Sequence, residues 1–239
     1  MMIDLRRGDC LEIMKDIPDG SIDLILCDLP YGTTKNKWDS VIPIDKLWEQ
    51  YERIIKQNGA IVLFSQMPFS AELVHSNLKL FKYEWIWQKN NGTGFLNAKK
   101  MPLKIHENIL VFYKKLPIYN PQMRTGFKPY KCKQGRHSTN YGNYEQGHIT
   151  KSNGDRYPID IINLKKDVGL HPTQKPVALL EYLIKTYTNE KETVLDNCMG
   201  SGSTGVACIK TNRNFIGIEK DENYYNIAKN RIEKASLGE

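Results

Sequence analysis

The sequence predicts an α/β fold built on a parallel sheet whose chain order is circularly permuted. Apolar runs of strand length alternate with amphipathic stretches of helix length at both ends of the 239-residue chain, and such alternation marks a sheet covered by helices. A strand, glycine turn and helix start, Val194 to Gly205, come with only 34 residues left to follow them. A nucleotide-type fold normally builds much more sheet after its glycine turn. The missing strands must therefore come from the N-terminal half.

In order, Ile3 to Arg7 and Ile22 to Cys27 read as short buried strands, with a helix-like stretch, Leu11 to Ile17, and a Pro18-Asp19-Gly20 turn between them. A helix is expected from Ile44 to Gln57, stopped by Asn58-Gly59. Ala60 to Phe64 is a strand, Phe69 to Asn77 a helix, and Tyr83 to Trp87 and Asn108 to Tyr113 are further strands. From Leu116 to Gly169 periodicity is lost among Gly, Pro, Asn, Tyr and Lys, and so long an irregular stretch is usually functional or an insertion. Alternation then returns. Val177 to Tyr187 is a helix behind Pro176, Thr193 to Leu195 a strand, Ser203 to Thr211 a helix, Asn214 to Ile218 a strand and Glu222 to Lys234 the last helix.

Hydrophobic residues make up 40% and charged residues 26%, as in an ordinary soluble globular protein. No apolar run approaches the ~20 residues of a membrane span, and the first residues lack a signal-peptide core. A cytoplasmic protein that does not enter membranes is expected. Cys10, Cys27, Cys132, Cys198 and Cys208 are odd in number and contain no Cys-x-x-Cys pair, which argues for reduced thiols and against a disulfide framework or a metal site.

The net charge of +7 is concentrated: ten Lys or Arg lie between Lys99 and Arg136 against one acid, Glu107. Tyr113, Tyr119, Phe127 and Tyr130 are interleaved with them. A solvated loop would explain the cations alone, but cations mixed with aromatics suit a polyanion with exposed bases. The candidate nucleic-acid-contacting residues are Lys99, Lys100, Lys104, Arg124, Lys128, Lys131, Lys133 and Arg136.

In Gly200-x-Gly202-x-x-Gly205 the glycines allow close backbone approach to a ligand at an electropositive helix start. Glu219, at the end of the next strand, is placed to accept hydrogen bonds from ribose hydroxyls. This pattern alone fits a nicotinamide cofactor or S-adenosylmethionine. Asp196 favours the latter, because a carboxylate there repels a pyrophosphate and attracts a cation. Asp9 follows the first strand, where it could reach an adenine amine, cap the helix from Cys10, or do both. His171-Pro172-Thr173-Gln174-Lys175-Pro176 reads as a rigid turn whose helix N-terminus could take a carboxylate.

Asp28-Leu29-Pro30-Tyr31 stands at the carboxyl end of a strand, where open α/β sheets bind ligands. An exocyclic amine on a base is a poor nucleophile because its lone pair is delocalised into the ring. Hydrogen bonds to the Asp28 carboxylate and the Leu29 carbonyl would localise it, Pro30 stiffens the turn, and Tyr31 can stack on the base. A base in duplex DNA must be flipped out to reach such a site. As four common residues the segment could equally be a turn; beside the glycine cradle it acquires a chemistry.

These residues resemble the amino-methyltransferases that modify DNA at adenine N6 or cytosine N4, in the class with the catalytic motif first, recognition region next and cofactor motif last. The similarity spans nearly the whole chain and includes Lys104-Ile105-His106-Glu107 before a strand. It implies a circularly permuted Rossmann-like methyltransferase sheet with helices on both faces. A catalytic domain of residues 1–115 and 170–239 would carry a target-recognition insertion at 116–169. It implies that Asp28, Leu29, Pro30 and Tyr31 bind and activate the base. Asp9, His171, Thr173, Lys175, Asp196, Gly200, Ser201, Gly202, Ser203, Thr204 and Glu219 would hold S-adenosylmethionine, with no metal. An acid at position 28 favours adenine, and the resemblance also admits a homodimer. Leu29 replaces the usual first proline, and Cys198 stands where phenylalanine is usual. Rival readings are a cytosine-N4 enzyme, an RNA or protein-amide methyltransferase, a nicotinamide-dependent oxidoreductase, and a nucleic-acid-binding protein without catalysis.

Overall fold

The computed structural model describes residues 1–32, 41–133, 149–165 and 174–238. The N-terminal half contributes β1 (Ile3–Arg7), α1 (Cys10–Ile13), β2 (Ile22–Asp28), α2 (Ile44–Ile54), β3 (Ile55–Ser65), α3 (Phe69–Ser76), β4 (Phe81–Thr93) and β5 (Lys104–Phe112). After β6 (Tyr130–Lys133), β7 (Ile149–Ser152) and β8 (Ile161–Asn163) come α4 (Val177–Tyr187), β9 (Thr193–Asp196), α5 (Ser203–Lys210), β10 (Asn214–Glu219) and α6 (Glu222–Leu237).

Eight strands form one sheet in the order β1-β10-β9-β2-β3-β5-β4-β8. The C-terminal pair β9 and β10 is thus inserted between β1 and β2. From β1 to β3 all neighbours are parallel, with Leu24 opposite Val194 where the two halves of the chain meet. Beyond β3 the parallel sheet becomes mixed. β5 runs antiparallel to both β3 and β4, because the stretch from Thr93 to Lys104 is a hairpin too short to hold a crossover helix.

Side-chain alternation on the central strands builds two cores. Leu24 and Leu26 face the layer of α4, α5 and α6, with Leu179, Leu183, Val206, Ala228 and Ile232. Ile25 and Cys27 face α1, α2 and α3, with Met14, Trp48, Tyr51, Phe69 and Leu73. Burial on both faces explains why β2 reads as a continuous apolar run from Leu24 to Cys27.

Several boundaries differ from expectation: β4 runs on to Thr93, and β5 starts at Lys104. The helix expected to reach Gln57 ends at Ile54 and the chain passes directly into β3. Asn58-Gly59 is a bulge in that strand, where the register to β2 shifts between Ile22 and Leu24. A Cβ on Gly59 would lie 2.8 Å from Ile55 and 2.9 Å from the Asp23 carbonyl, so close backbone approach requires glycine there. Among its described residues, the stretch expected to be irregular contains three strands. Residues Pro121–Ile159 form a separate compact unit containing the antiparallel pair β6–β7, while Asp160 onward belongs to the large unit. There β8 adds to the sheet edge beside β4, and Trp87 donates to the Leu164 carbonyl at 2.9 Å.

Candidate active site

Two carboxylates 168 positions apart end neighbouring parallel strands: Asp28 closes β2 and Asp196 closes β9. Glu219 closes β10, and Gly8 and Asp9 follow β1. A cavity of about 840 Å³ runs along these four strand ends, walled on one side by Trp87, Lys89, Glu107 and Lys175. Ligands bind at this edge of open α/β sheets because loops leave the strand ends there without covering them.

At Asp28, Oδ1 accepts from the Tyr31 hydroxyl at 2.7 Å and Oδ2 accepts from Lys175 Nζ at 2.5 Å. The same ammonium lies 3.2 Å from Glu107 Oε2, while Lys89 pairs with Glu107 Oε1. The result is an alternating row, Lys89, Glu107, Lys175, Asp28. Burial opposes the Lys175 charge, but Asp28 and Glu107 overcome it and raise its pKa. Burial likewise opposes the Glu107 carboxylate, and Lys175 and Lys89 hold its pKa below the ordinary value. Desolvation, with Asp28 beside it, lifts the Tyr31 phenol well above its usual range, keeping it a neutral donor. The buried Lys175 ammonium, which lines the cavity, is satisfied by the two anions beside it.

On the cradle side, Asp196 is 4% exposed and fully engaged. Its Oδ2 accepts from Thr204 Oγ1 at 2.6 Å and its Oδ1 from the Cys198 amide at 3.1 Å. Burial pushes its pKa up to about 6. Glu219 accepts from the amides of Gly200 at 2.9 Å and Asp221 at 2.8 Å, so it ties the glycine turn to β10. Asp9 caps α1 through the Leu11 amide at 3.0 Å and meets Lys220 at 3.1 Å, while still lining the cavity.

The three glycines divide their work. Gly200, at φ +50°, lines the cavity with open space where a Cβ would stand. Gly202 does not line it: its Cβ would fall 2.9 Å from Ala228 Cα, and that of Gly205 2.4 Å from Ile232 Cδ1. Both are required by close packing against α6. Ser201, Ser203 and Thr204 line the cavity, and Arg231 holds Ser201 through its carbonyl at 2.5 Å and hydroxyl at 2.9 Å.

Leu29, Pro30 and Tyr31 also line the cavity, and the Tyr31 ring lies 5.2 Å from Phe69. Cys198 and Cys10 form part of the wall, and the Cys198 thiol is 3.5 Å from Asn197 Nδ2. His171, Thr173 and Arg136 lie outside the described residues. Lys99, Lys100 and Lys104 are exposed on the β4–β5 hairpin. Arg124, Lys128, Lys131 and Lys133 belong to the smaller unit. There Arg124 and Arg156 flank Phe127, with guanidinium carbons 5.2 and 5.3 Å from the ring centre, and Arg124 donates to the Tyr157 carbonyl. Lys131 sits opposite Lys151 across the β6–β7 ladder. Sequence reasoning missed Lys89. The signal was present, since Trp85, Trp87 and Lys89 continue a period of two on the inward face of β4.

A protein family described as DNA methylase matches residues 22–230. The chain belongs to the DNA methylase family. Among its relatives, the methylase is 30% identical over 251 residues to the DNA adenine methyltransferase YhdJ of Escherichia coli strain K12, covering 96% of this chain and 82% of that one. It is 29% identical over 248 residues to the type II methyltransferase M.HpaI of Haemophilus parainfluenzae, covering 97% and 74%. The crystal structure of an M1.HpyAVI–SAM complex superposes with a TM-score of 0.68 at 26% identity, over 96% of this chain and all of that one. The PvuII cytosine-N4-specific DNA methyltransferase shares the fold, with a TM-score of 0.71 at 14% identity, over 99% of this methylase and 92% of its own chain.

Proposed function

We propose that this methylase transfers a methyl group from S-adenosylmethionine to the exocyclic N6 of an adenine flipped out of DNA, at a specific sequence. The observation that carries the reading is the single cavity in which Asp28-Leu29-Pro30-Tyr31 and the Asp196–Thr204 turn face each other across adjacent strand ends. The residues fit the cofactor. Asp9, Asp196 and Glu219 give the cradle an anionic lining that suits a sulfonium and ribose hydroxyls and repels a pyrophosphate, which disfavours a nicotinamide cofactor. The open position at Gly200 leaves room against the turn. When bound, S-adenosylmethionine supplies an electrophilic methyl group.

The protein's part is positioning. Asp28 and the Leu29 carbonyl accept hydrogen bonds from the adenine amine and restore its lone pair. Lys175 and the Tyr31 hydroxyl fix the Asp28 carboxylate before substrate arrives, so little reorganisation is needed at the moment of attack. The acid at position 28 and the resemblance to an adenine methyltransferase support N6 over cytosine N4. Residues 121–159 act as the target-recognition unit, with Lys128, Lys131 and Lys133 on phosphates. The Lys131–Lys151 juxtaposition supports this, because like charges opposed across a ladder are unfavourable until a polyanion meets them. The enzyme works in the cytoplasm.

The test is incubation with labelled S-adenosylmethionine and unmethylated DNA, followed by nucleoside digestion and mass spectrometry. N6-methyladenine is expected. N4-methylcytosine would overturn the base assignment while keeping the mechanism, and label on RNA or protein alone would overturn the substrate.

A further inference from the structure

The β4–β5 hairpin ends in an apolar tip that the activity above does not use. Phe95 is 76% exposed, Leu96 86%, Met101 53% and Leu103 45%. Single exposed apolar residues are ordinary, but four within nine positions of one short hairpin call for a partner.

The tip is built and not merely loose. Gly94 takes the left-handed conformation at φ +88°, and a 3-10 turn over Phe95–Asn97 follows. The amides of Asn97, Ala98 and Lys100 close it onto the carbonyls of Gly94, Phe95 and Asn97 at 2.8 to 3.0 Å. The two legs come together at the base, where Thr93 Oγ1 donates to the Lys104 carbonyl at 3.2 Å and a Cβ on Gly92 would lie 2.8 Å from Leu103 Cβ. This geometry holds Phe95 and Leu96 outward.

Charge and position identify the occupant. From Gly94 to His106 there is no acid, and Lys99, Lys100 and Lys104 flank the apolar pair. The hairpin leg is also continuous with the cavity wall: Trp87, Lys89 and Thr93 all line the cavity, and Phe95 lies only two residues beyond, about 7 Å along the chain. A nucleotide held in that cavity leaves a gap in its own base stack close to this tip. Apolar side chains fill such gaps where a duplex is opened.

We infer that Phe95 and Leu96 form a wedge that enters the DNA base stack beside the extruded target, with Lys99, Lys100 and Lys104 on the adjoining phosphates. The inference rests on the proposed action on a flipped base, and it assigns a role to residues outside the catalytic and cofactor sites.

The test uses the full-length protein carrying F95A and L96A together, with unmethylated genomic DNA supplied native or heat-denatured, and calorimetric titration of S-adenosylmethionine. The expected result is a fall of about tenfold or more in the rate on native DNA, a nearly unchanged rate on denatured DNA, and unchanged cofactor affinity. A second variant, F95W with L96M, restores an apolar tip and should recover the rate on native DNA. Equal losses on both substrates, or no loss on either, would overturn the wedge. So would wild-type protein that acts only on denatured DNA. Wild-type protein that binds the cofactor but labels neither form would instead overturn the parent reading, and the wedge with it.

Discussion

The charge row Lys89, Glu107, Lys175, Asp28 sets what single residues can do. Asp28 is already held by two donors, so its removal should spare the cradle: Asp28→Asn is expected to lower the transfer rate at least about a hundredfold while S-adenosylmethionine affinity, read by calorimetry, stays near wild type. Loss of both would contradict the division between the two ends of the cavity. Asp196 predicts a pH dependence. Its pKa is raised from 3.8 to about 6 by burial, so the folded protein holds a proton that the unfolded chain releases between those values. The contribution of this group to stability therefore decreases as pH rises from about 4 to 6. Cofactor affinity should do the reverse, weakening as pH falls through about 6 and the carboxylate is neutralised. Thr204→Val deletes the hydroxyl that favours the charged form and should move that midpoint upward in titrations between pH 5 and 8. Asp28, Asp196 and Glu219 were legible because a carboxylate at the end of an apolar run has few structural reasons to be there. The placement of Lys175 was not, because its partners Asp28 and Glu107 come from distant parts of the chain.

The glycine turn shows how an element can satisfy a motif for two reasons at once. Gly202→Ala would set a Cβ against the Ala228 backbone at a φ of +79° and is expected to cost about 1 to 3 kcal/mol in urea denaturation, with cofactor affinity of the folded fraction little changed. Sequence spacing alone cannot separate a glycine needed by a ligand from one needed by a neighbouring helix, since α6 arrives only later in the chain. Local signals failed in a similar way at Asn58-Gly59, where turn residues mark a bulge because β2 lies alongside. In the smaller unit, neutralising Lys128, Lys131 and Lys133 together should weaken DNA binding and reduce the slope of log affinity against log salt by about 2 to 3. An unchanged slope in fluorescence titrations would remove this hairpin from the DNA surface.

At the scale of the whole molecule, the permuted order was readable from the order of the motifs: the Asp28-Leu29-Pro30-Tyr31 strand end and several strand–helix alternations precede the glycine turn at Gly200 to Gly205. The mixed direction of the sheet was not, because hairpin and crossover connections differ only in what the linking residues do. Truncation after Lys210 removes β10 and α6, strands β1 without a neighbour and exposes the flank of β9. No cooperative unfolding transition is expected in calorimetry of that fragment, and a normal one would show that the N-terminal strands stand alone. The interleaving also has a consequence during synthesis. β2, entirely apolar from Leu24 to Cys27, leaves the ribosome about 165 residues ahead of β9, the strand that covers its open side. At ~5 to 20 residues per second that is roughly 8 to 33 seconds in which a hydrophobic strand edge awaits its partner. Every copy of this enzyme thus passes through a window in which chaperones and neighbouring nascent chains compete with its own C-terminus.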